Sequence, residues 1–331
     1  MIIEKILKNL TPKKIEKTNK EVLKINLPPE IKKIVDEYKK VGDHNRNEYL
    51  WKWIYRGVKV FTQNRVEEKY FNQVLEVKLL LFIFDTLVDD IVDKPNYRNK
   101  KLLKEILKVP FERKYIETKK LNKKEKENIK YAIKIWKRIF QIIKKFPRYK
   151  EFKDIFEYDV YQFLNMYKYS YLLTQNYYLL NKIESHLYFP HVMQGFIHLT
   201  LELMCSPSFD LRDLGKLREI GWYIQMMARI GNAVSTWERE VNENDFTSDI
   251  FPYAIDFGYI TVDELLREKD KTKIIEKIKK FKVEDELLKK WEECYWEIYK
   301  ISKKIKSVNI KPILKALQKI IFFHLSSRGL K

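Results

Sequence analysis

Glycine and proline are scarce in this chain, 8 and 10 among 331 residues. A many-stranded β fold needs a turn former at nearly every hairpin, so the scarcity argues against such a fold and for long helices on short connections. Cysteine is scarcer still. Cys205 and Cys294 are too few for a disulfide framework, and no CxxC pair is present, which makes a reducing cytoplasm the expected compartment. Long hydrophobic runs are missing too. The longest obvious block, LLLFIF at 79–84, falls far short of the roughly 20 residues needed to cross a bilayer. The opening MIIEKILKNLTPKKIEK interrupts its apolar residues with charge and lacks the core of a signal peptide. HExxH is absent, and His186, His191 and His198 do not form a zinc set. Nor is there a Gly-rich phosphate loop, a Ser-His-Asp or Cys-His arrangement, or a DxDD stretch.

What is abundant is charge and aromatic surface. Lys and Arg number 66 against 46 Asp and Glu, a formal net charge of +20. The lysines are spread over the whole length and interleaved with glutamate, as in KKLNKKEKENIKYAIKIWKR at 119–138, the look of solvated helix faces. With no zinc-finger spacing and no aromatic RNA-binding strand, nucleic acid is not the favoured partner, although the charge attracts anionic substrates generally. A non-catalytic helical protein that binds polyanions stays open as the alternative from another function class.

Heptad-like apolar spacing predicts helices over about 28–41, 45–62, 66–93, 122–145, 150–179, 183–204, 211–243, 282–304 and 309–326. Pro95 and Asn96 end the third, because proline cannot continue a helix. No repeat or composition shift marks a boundary, so residues 1–26 read as an N-terminal extension and 27–331 as a single all-α domain.

Two stretches carry chemistry. FDTLVDDIVDKPN ends the third helix and holds Asp85, Asp89, Asp90 and Asp93. Residues four apart on a helix lie about 40° apart around the axis and about 6 Å along it, so Asp85, Asp89 and Asp93 share one face. Carboxylates so crowded repel one another, and the helix C-terminus disfavours negative charge. A hard cation relieves both, and Mg²⁺ suits a carboxylate set shared with a substrate phosphate. The second stretch, GNAVSTWEREVNENDF at 231–246, repeats the four-residue interval with Asn232, Thr236 and Glu240, an amide oxygen, a hydroxyl and a carboxylate in a row. Two such helices facing a cavity can clamp a diphosphate through shared divalent ions, stabilising the charge that departs when a C–O bond breaks.

Asp89-Asp90-Ile91-Val92-Asp93 resembles the DDxxD motif of class I terpene synthases, and NAVSTWERE resembles that family's second motif, NDxxSxxxE, with Asn232, Thr236 and Glu240 at its metal-ligand positions. The resemblance covers roughly residues 65–330. It implies the isoprenoid synthase fold, a helical bundle with a central active-site cavity, and three Mg²⁺ ions. It also implies a lyase of isoprenoid biosynthesis that ionises a linear allylic isoprenyl diphosphate, C15–C20 favoured, to form a terpene. Arg239 stands where the family often has a basic residue on the diphosphate, and Arg328 and Arg229 are further candidates for that contact. Ala233 replaces the family's usual Asp. His186 and Ser185 occupy the region of its diphosphate-sensing Arg, and its C-terminal Arg-Tyr pair is missing. Asp85-x-x-x-Asp89 also resembles the first motif of squalene and phytoene synthases, which leaves a prenyltransferase or head-to-head synthase on the same fold as the alternative enzyme. The second motif favours the cyclase.

Carbocations need a dry aromatic cavity. Aromatics are 14% of the chain, and Phe82, Phe84, Trp222 and Tyr161 are the pocket candidates. Oligomeric state is open, a homodimer included.

Overall fold

The computed structural model describes residues 2–62, 66–94 and 96–330; the predicted helix stop at Pro95 lies outside the described residues. Every regular element among the described residues is helical, as the turn-former scarcity requires. None of these helices is long and apolar enough to cross a membrane.

The contacts group the chain into two compact units, one of residues 22–167 and 200–207, the other of 1–21, 168–199 and 208–331. In the first, the helix Glu68–Asp93 is the axis. It packs on Pro29–Tyr38, Glu48–Phe61, Lys100–Ile106 and Lys123–Ile143. Its middle is apolar on nearly all sides, and Phe84 is sealed edge-on against Trp136 at 5.4 Å. Burying one such ring stabilises the fold by about 2–3 kcal/mol. A lysine is also enclosed in this core: the Lys78 ammonium meets Glu202 at 2.5 Å and the Thr62 hydroxyl at 3.1 Å, so its charge is paired within the core.

In the second unit the helix Leu214–Glu243 packs on Val283–Ser302, on Lys311–Ser326 and on the 3₁₀ turn Phe189–Met193. Gly231 makes one of these contacts possible: a Cβ there would meet the His324 ring at 2.9 Å. The segment read as an N-terminal extension carries the helices Ile2–Lys8 and Pro12–Leu23, and it packs here through Ile2 N–H on Glu292 at 2.8 Å and Asn19 on the Ser326 carbonyl at 2.9 Å.

One helix expected from periodicity is broken. Residues 183–204 form Lys182–Tyr188, the 3₁₀ turn Phe189–Met193 and Gly195–Met204. Pro190 at the start of the turn removes a backbone donor, and Gln194 adopts left-handed φ of 56°, which stops the helix. Periodicity also overlooks Ile250–Asp256, Val262–Arg267 and Lys271–Lys280, which are too short for their spacing to stand out. Thr261 and Glu264 form a capping box at the start of the middle one.

Candidate functional site

The two acidic stretches fall in different units. On the helix Glu68–Asp93, Phe82, Asp85, Asp89 and Asp93 form a half-buried stripe at helical spacing, while Asp90 points into the core at 1% exposure. Asp90 is fully engaged. It accepts hydrogen bonds from the Tyr38 hydroxyl, from the Asp43 N–H at 2.8 Å and from Arg46 Nε at 3.0 Å. The same guanidinium reaches Asp89 through Nη2 at 2.6 Å. Asp85 accepts from the Tyr167 hydroxyl at 2.5 Å, and the same hydroxyl lies 2.9 Å from the Asp85 carbonyl. Arg98 donates to the Val92 and Asp93 carbonyls at 2.9 and 3.1 Å, which neutralises the helix end that the aspartates burden.

These contacts set the protonation states. Burial pushes Asp90 above the usual carboxylate range despite Arg46. Burial acts on Asp89 the same way, but Arg46 and a hydrogen bond from Asp93 outweigh it and hold that carboxyl below its usual value. Tyr167, buried and beside Asp85, is held protonated. The aspartate stripe therefore already has a cation, and it belongs to the protein.

The second stretch is built differently. Asn232 is half-buried, and Thr236 and Glu240 are buried on the same face of Leu214–Glu243. The Thr236 hydroxyl donates to the Asn232 carbonyl at 2.9 Å. Glu240 is 8% exposed, yet its Oε2 has no hydrogen-bond partner among the described residues. Its nearest basic group is the Arg239 Nη2, 3.8 Å from Oε1. Burial, with the Asp245 charge added, pushes Glu240 up to about 7.

The candidate arginines are engaged elsewhere to different degrees. Arg239 Nη1 donates to both Glu243 oxygens at 3.1 and 3.0 Å, while its buried Nε has no partner among the described residues. Arg229 donates through Nε to Asp249 and through Nη2 to the Thr247 carbonyl at 2.8 Å, and its guanidinium lies 4.8 Å above the Phe189 ring. Arg328 donates to Glu284 at 2.6 Å, and Trp237 Nε1 donates to the other oxygen of that carboxylate. Arg328 thus sits on the Trp237 side of the helix, about 100° around from Thr236.

The aromatic candidates separate by burial. Phe84 is core, between Trp136 and Phe163. Tyr161 is 37% exposed and leans on Phe111 at the surface, so it lines no enclosed cavity. Phe82 is half-buried on the aspartate stripe. Trp222 is half-buried and stacks on Phe196 at 6.3 Å, with His191 at 5.8 Å. Arg46 and Tyr38 were not legible as site residues; nothing local in the sequence marks them, and like Tyr167 they reach the aspartates only through the fold.

Mg²⁺ fits the two stretches unequally. No group of three or more His, Cys, Asp or Glu among the described residues is arranged to hold a metal ion. Aspartates four apart along a helix are spread about 6 Å apart rather than convergent. At the second stretch the donor set is an amide, a hydroxyl and one carboxylate, all hard oxygens, and the unpartnered buried Glu240 oxygen is the feature a hard cation would satisfy. No protein-family model matches the chain, and no curated protein matches it.

Proposed function

We propose that the chain is a Mg²⁺-dependent class I terpene synthase, a lyase that ionises a linear allylic isoprenyl diphosphate, C15–C20 favoured, on an isoprenoid synthase fold with a central cavity. The observation that carries this reading is Glu240, a buried carboxylate whose Oε2 has no partner among the described residues, in line with Asn232 and Thr236 on one helix face. The aspartate stripe of Asp85, Asp89 and Asp93 supports it as a second set of hard donors. In this reading Asn232, Thr236 and Glu240 would hold a metal ion, and Asp89 with Asp85 or Asp93 would offer a separate donor set on its own helix. Bound there, Mg²⁺ supplies charge stabilisation for the departing diphosphate. Asp90 has a different part: held by Tyr38, Asp43 and Arg46, it fixes the end of its helix so that Asp89 is presented at a set angle. Arg46, which pairs with Asp89 at 2.6 Å, would offer its guanidinium to phosphate oxygens near the aspartate stripe. Arg239, whose Nε has no partner among the described residues, would be the phosphate contact beside Glu240.

The test is product analysis. The purified protein is incubated with C10, C15, C20 and C25 allylic diphosphates in Mg²⁺ or EDTA, and the extract is examined by GC–MS. A terpene or terpene alcohol formed only with Mg²⁺ is the expected result. Asn232→Ala and Glu240→Ala should abolish it and leave helical circular dichroism nearly unchanged. A longer prenyl diphosphate, formed only with added isopentenyl diphosphate, would replace the lyase with a prenyltransferase. Wild-type turnover by either variant would end the metal assignment, and salt-dependent nucleic-acid binding without turnover would favour the polyanion-binding alternative.

A further inference from the structure

Two buried glutamines lie close together in the second unit. Gln194 and Gln225 are each 1% exposed, and among the described residues neither the carbonyl oxygen nor the amide nitrogen of either side chain has a hydrogen-bond partner. Buried amides forfeit their hydrogen bonds to water, so a fold normally pairs them or keeps them for a ligand. The backbone brings them together. A Cβ on Gly195 would lie 2.9 Å from the Gln225 Cβ and 3.2 Å from the Gly221 carbonyl, so the chain after Gln194 rests directly on the Gly221–Gln225 turn. That contact puts the Gln194 Cα within about 8 Å of the Gln225 Cβ. Gln194 itself has φ of 56°, a conformation that L residues other than glycine seldom adopt.

The surroundings identify the ligand chemistry. Gly221, on the turn that Gly195 rests against, is walled by Phe196 and Leu199, with Trp222 stacked on Phe196, so the neighbourhood is apolar and aromatic. An amide offers both a donor and an acceptor, which matches a neutral hydroxyl better than an anion or a cation. Gln225 also precedes Asn232 by seven residues on one helix. It is therefore within about 20° of the same face and about 10 Å along the axis.

We propose that Gln194 and Gln225 form a buried subsite that binds a neutral hydroxyl group beside an apolar ligand body. The subsite stands on the amides; only its relation to the Asn232 face, two helical turns away, rests on the function proposed above. The hydroxyl has two sources, the ligand's own or a held water molecule.

Binding is measured by quenching of intrinsic tryptophan fluorescence, with farnesol against farnesene, for the full chain and for Gln225→Met and Gln194→Asn. Asparagine tolerates the left-handed backbone at 194 and withdraws the amide by one methylene. Wild type should bind the alcohol at least about tenfold tighter than the hydrocarbon, as expected when a paired buried polar group is forfeited. Both variants should bring the ratio near one with circular dichroism unchanged. Equal binding by wild type, or a preference that persists in Gln225→Met, overturns the subsite. A parallel incubation with farnesyl diphosphate in H₂¹⁸O identifies the source. If water is held there, its oxygen forms the new C–O bond, its proton leaves to the released diphosphate, and the alcohol carries the label in wild type but gives way to hydrocarbon in Gln225→Met. Unlabelled product with selective farnesol binding assigns the hydroxyl to the ligand. Farnesol selectivity without any turnover keeps the subsite and ends the lyase reading.

Discussion

The aspartate stripe and the Asn232–Glu240 row look alike on paper, each a set of oxygen donors at four-residue intervals, yet the fold treats them in opposite ways. Around the aspartates the protein supplies its own compensation: Arg46 on Asp89 and Asp90, Tyr38 and the Asp43 N–H on Asp90, Tyr167 on Asp85. Glu240 has a basic group no nearer than 3.8 Å and an oxygen without a partner among the described residues. The carboxyl states follow, with Asp89 below its usual range and Glu240 raised to about 7. Donor spacing alone therefore does not measure demand for a cation; what matters is the charge the fold leaves unbalanced.

Breaking the compensated side should have the largest effect. Asp90→Ala strands the Arg46 guanidinium, the Tyr38 hydroxyl and a backbone N–H in a buried setting, and we expect a loss of about 3–5 kcal/mol. Urea unfolding with an unchanged slope would measure it. A loss below about 1 kcal/mol would mean that the network does not anchor the helix end.

The uncompensated side is sharpened by pH. Glu240 is raised to about 7 from the 4.5 of an ordinary glutamate carboxyl, so the folded state keeps a proton that the unfolded state releases. Its favourable contribution is present below about pH 4.5 and is lost as pH rises through about 7, up to about 3 kcal/mol in all. Metal-free protein in EDTA should therefore be less stable at pH 8 than at pH 5 at this site, and Glu240→Gln should flatten the difference. Asp89 runs the other way: its lowered value adds stability above the unfolded carboxyl range that disappears as pH falls. If Glu240→Gln leaves the urea midpoints at both pH values unchanged relative to wild type, the contrast between the two sides fails.

Smaller effects probe the margins. Tyr167→Phe removes the hydroxyl on Asp85, and a loss of about 1–1.5 kcal/mol, read as a drop in Tm, is expected for one buried hydrogen bond. Tyr161→Ala should cost less than about 1 kcal/mol and leave turnover unchanged, because the ring is at the surface on Phe111. A turnover defect there would return Tyr161 to the pocket.

Much of the helical outline was readable in advance. The helices Glu68–Asp93, Leu214–Glu243 and Lys311–Ser326 fall close to their periodic patterns because each buries a long apolar stripe. The break at 189–194 was not readable, since residues 183–204 keep helical spacing across it while Pro190 and the left-handed Gln194 redirect the backbone. The spacing that put Asp85, Asp89 and Asp93 on one face was also sound, but it had nothing to say about Asp90 beyond adjacency. One residue's step, about 100° around a helix, turns Asp90 from the stripe into the core.

By itself the sequence determined an all-helical chain and two rows of hard oxygen donors, because turn-former scarcity, apolar period and four-residue intervals are local properties of the polymer. The tertiary structure alone decided which row is already neutralised and where unpaired amides are enclosed. Arg46 and Tyr38 stand 44 and 52 positions from Asp90, and Tyr167 stands 82 from Asp85, so their charges and hydroxyls act on these carboxylates only after the chain has folded. Electrostatic compensation depends on distance in space and on burial, and neither is encoded in spacing along the chain.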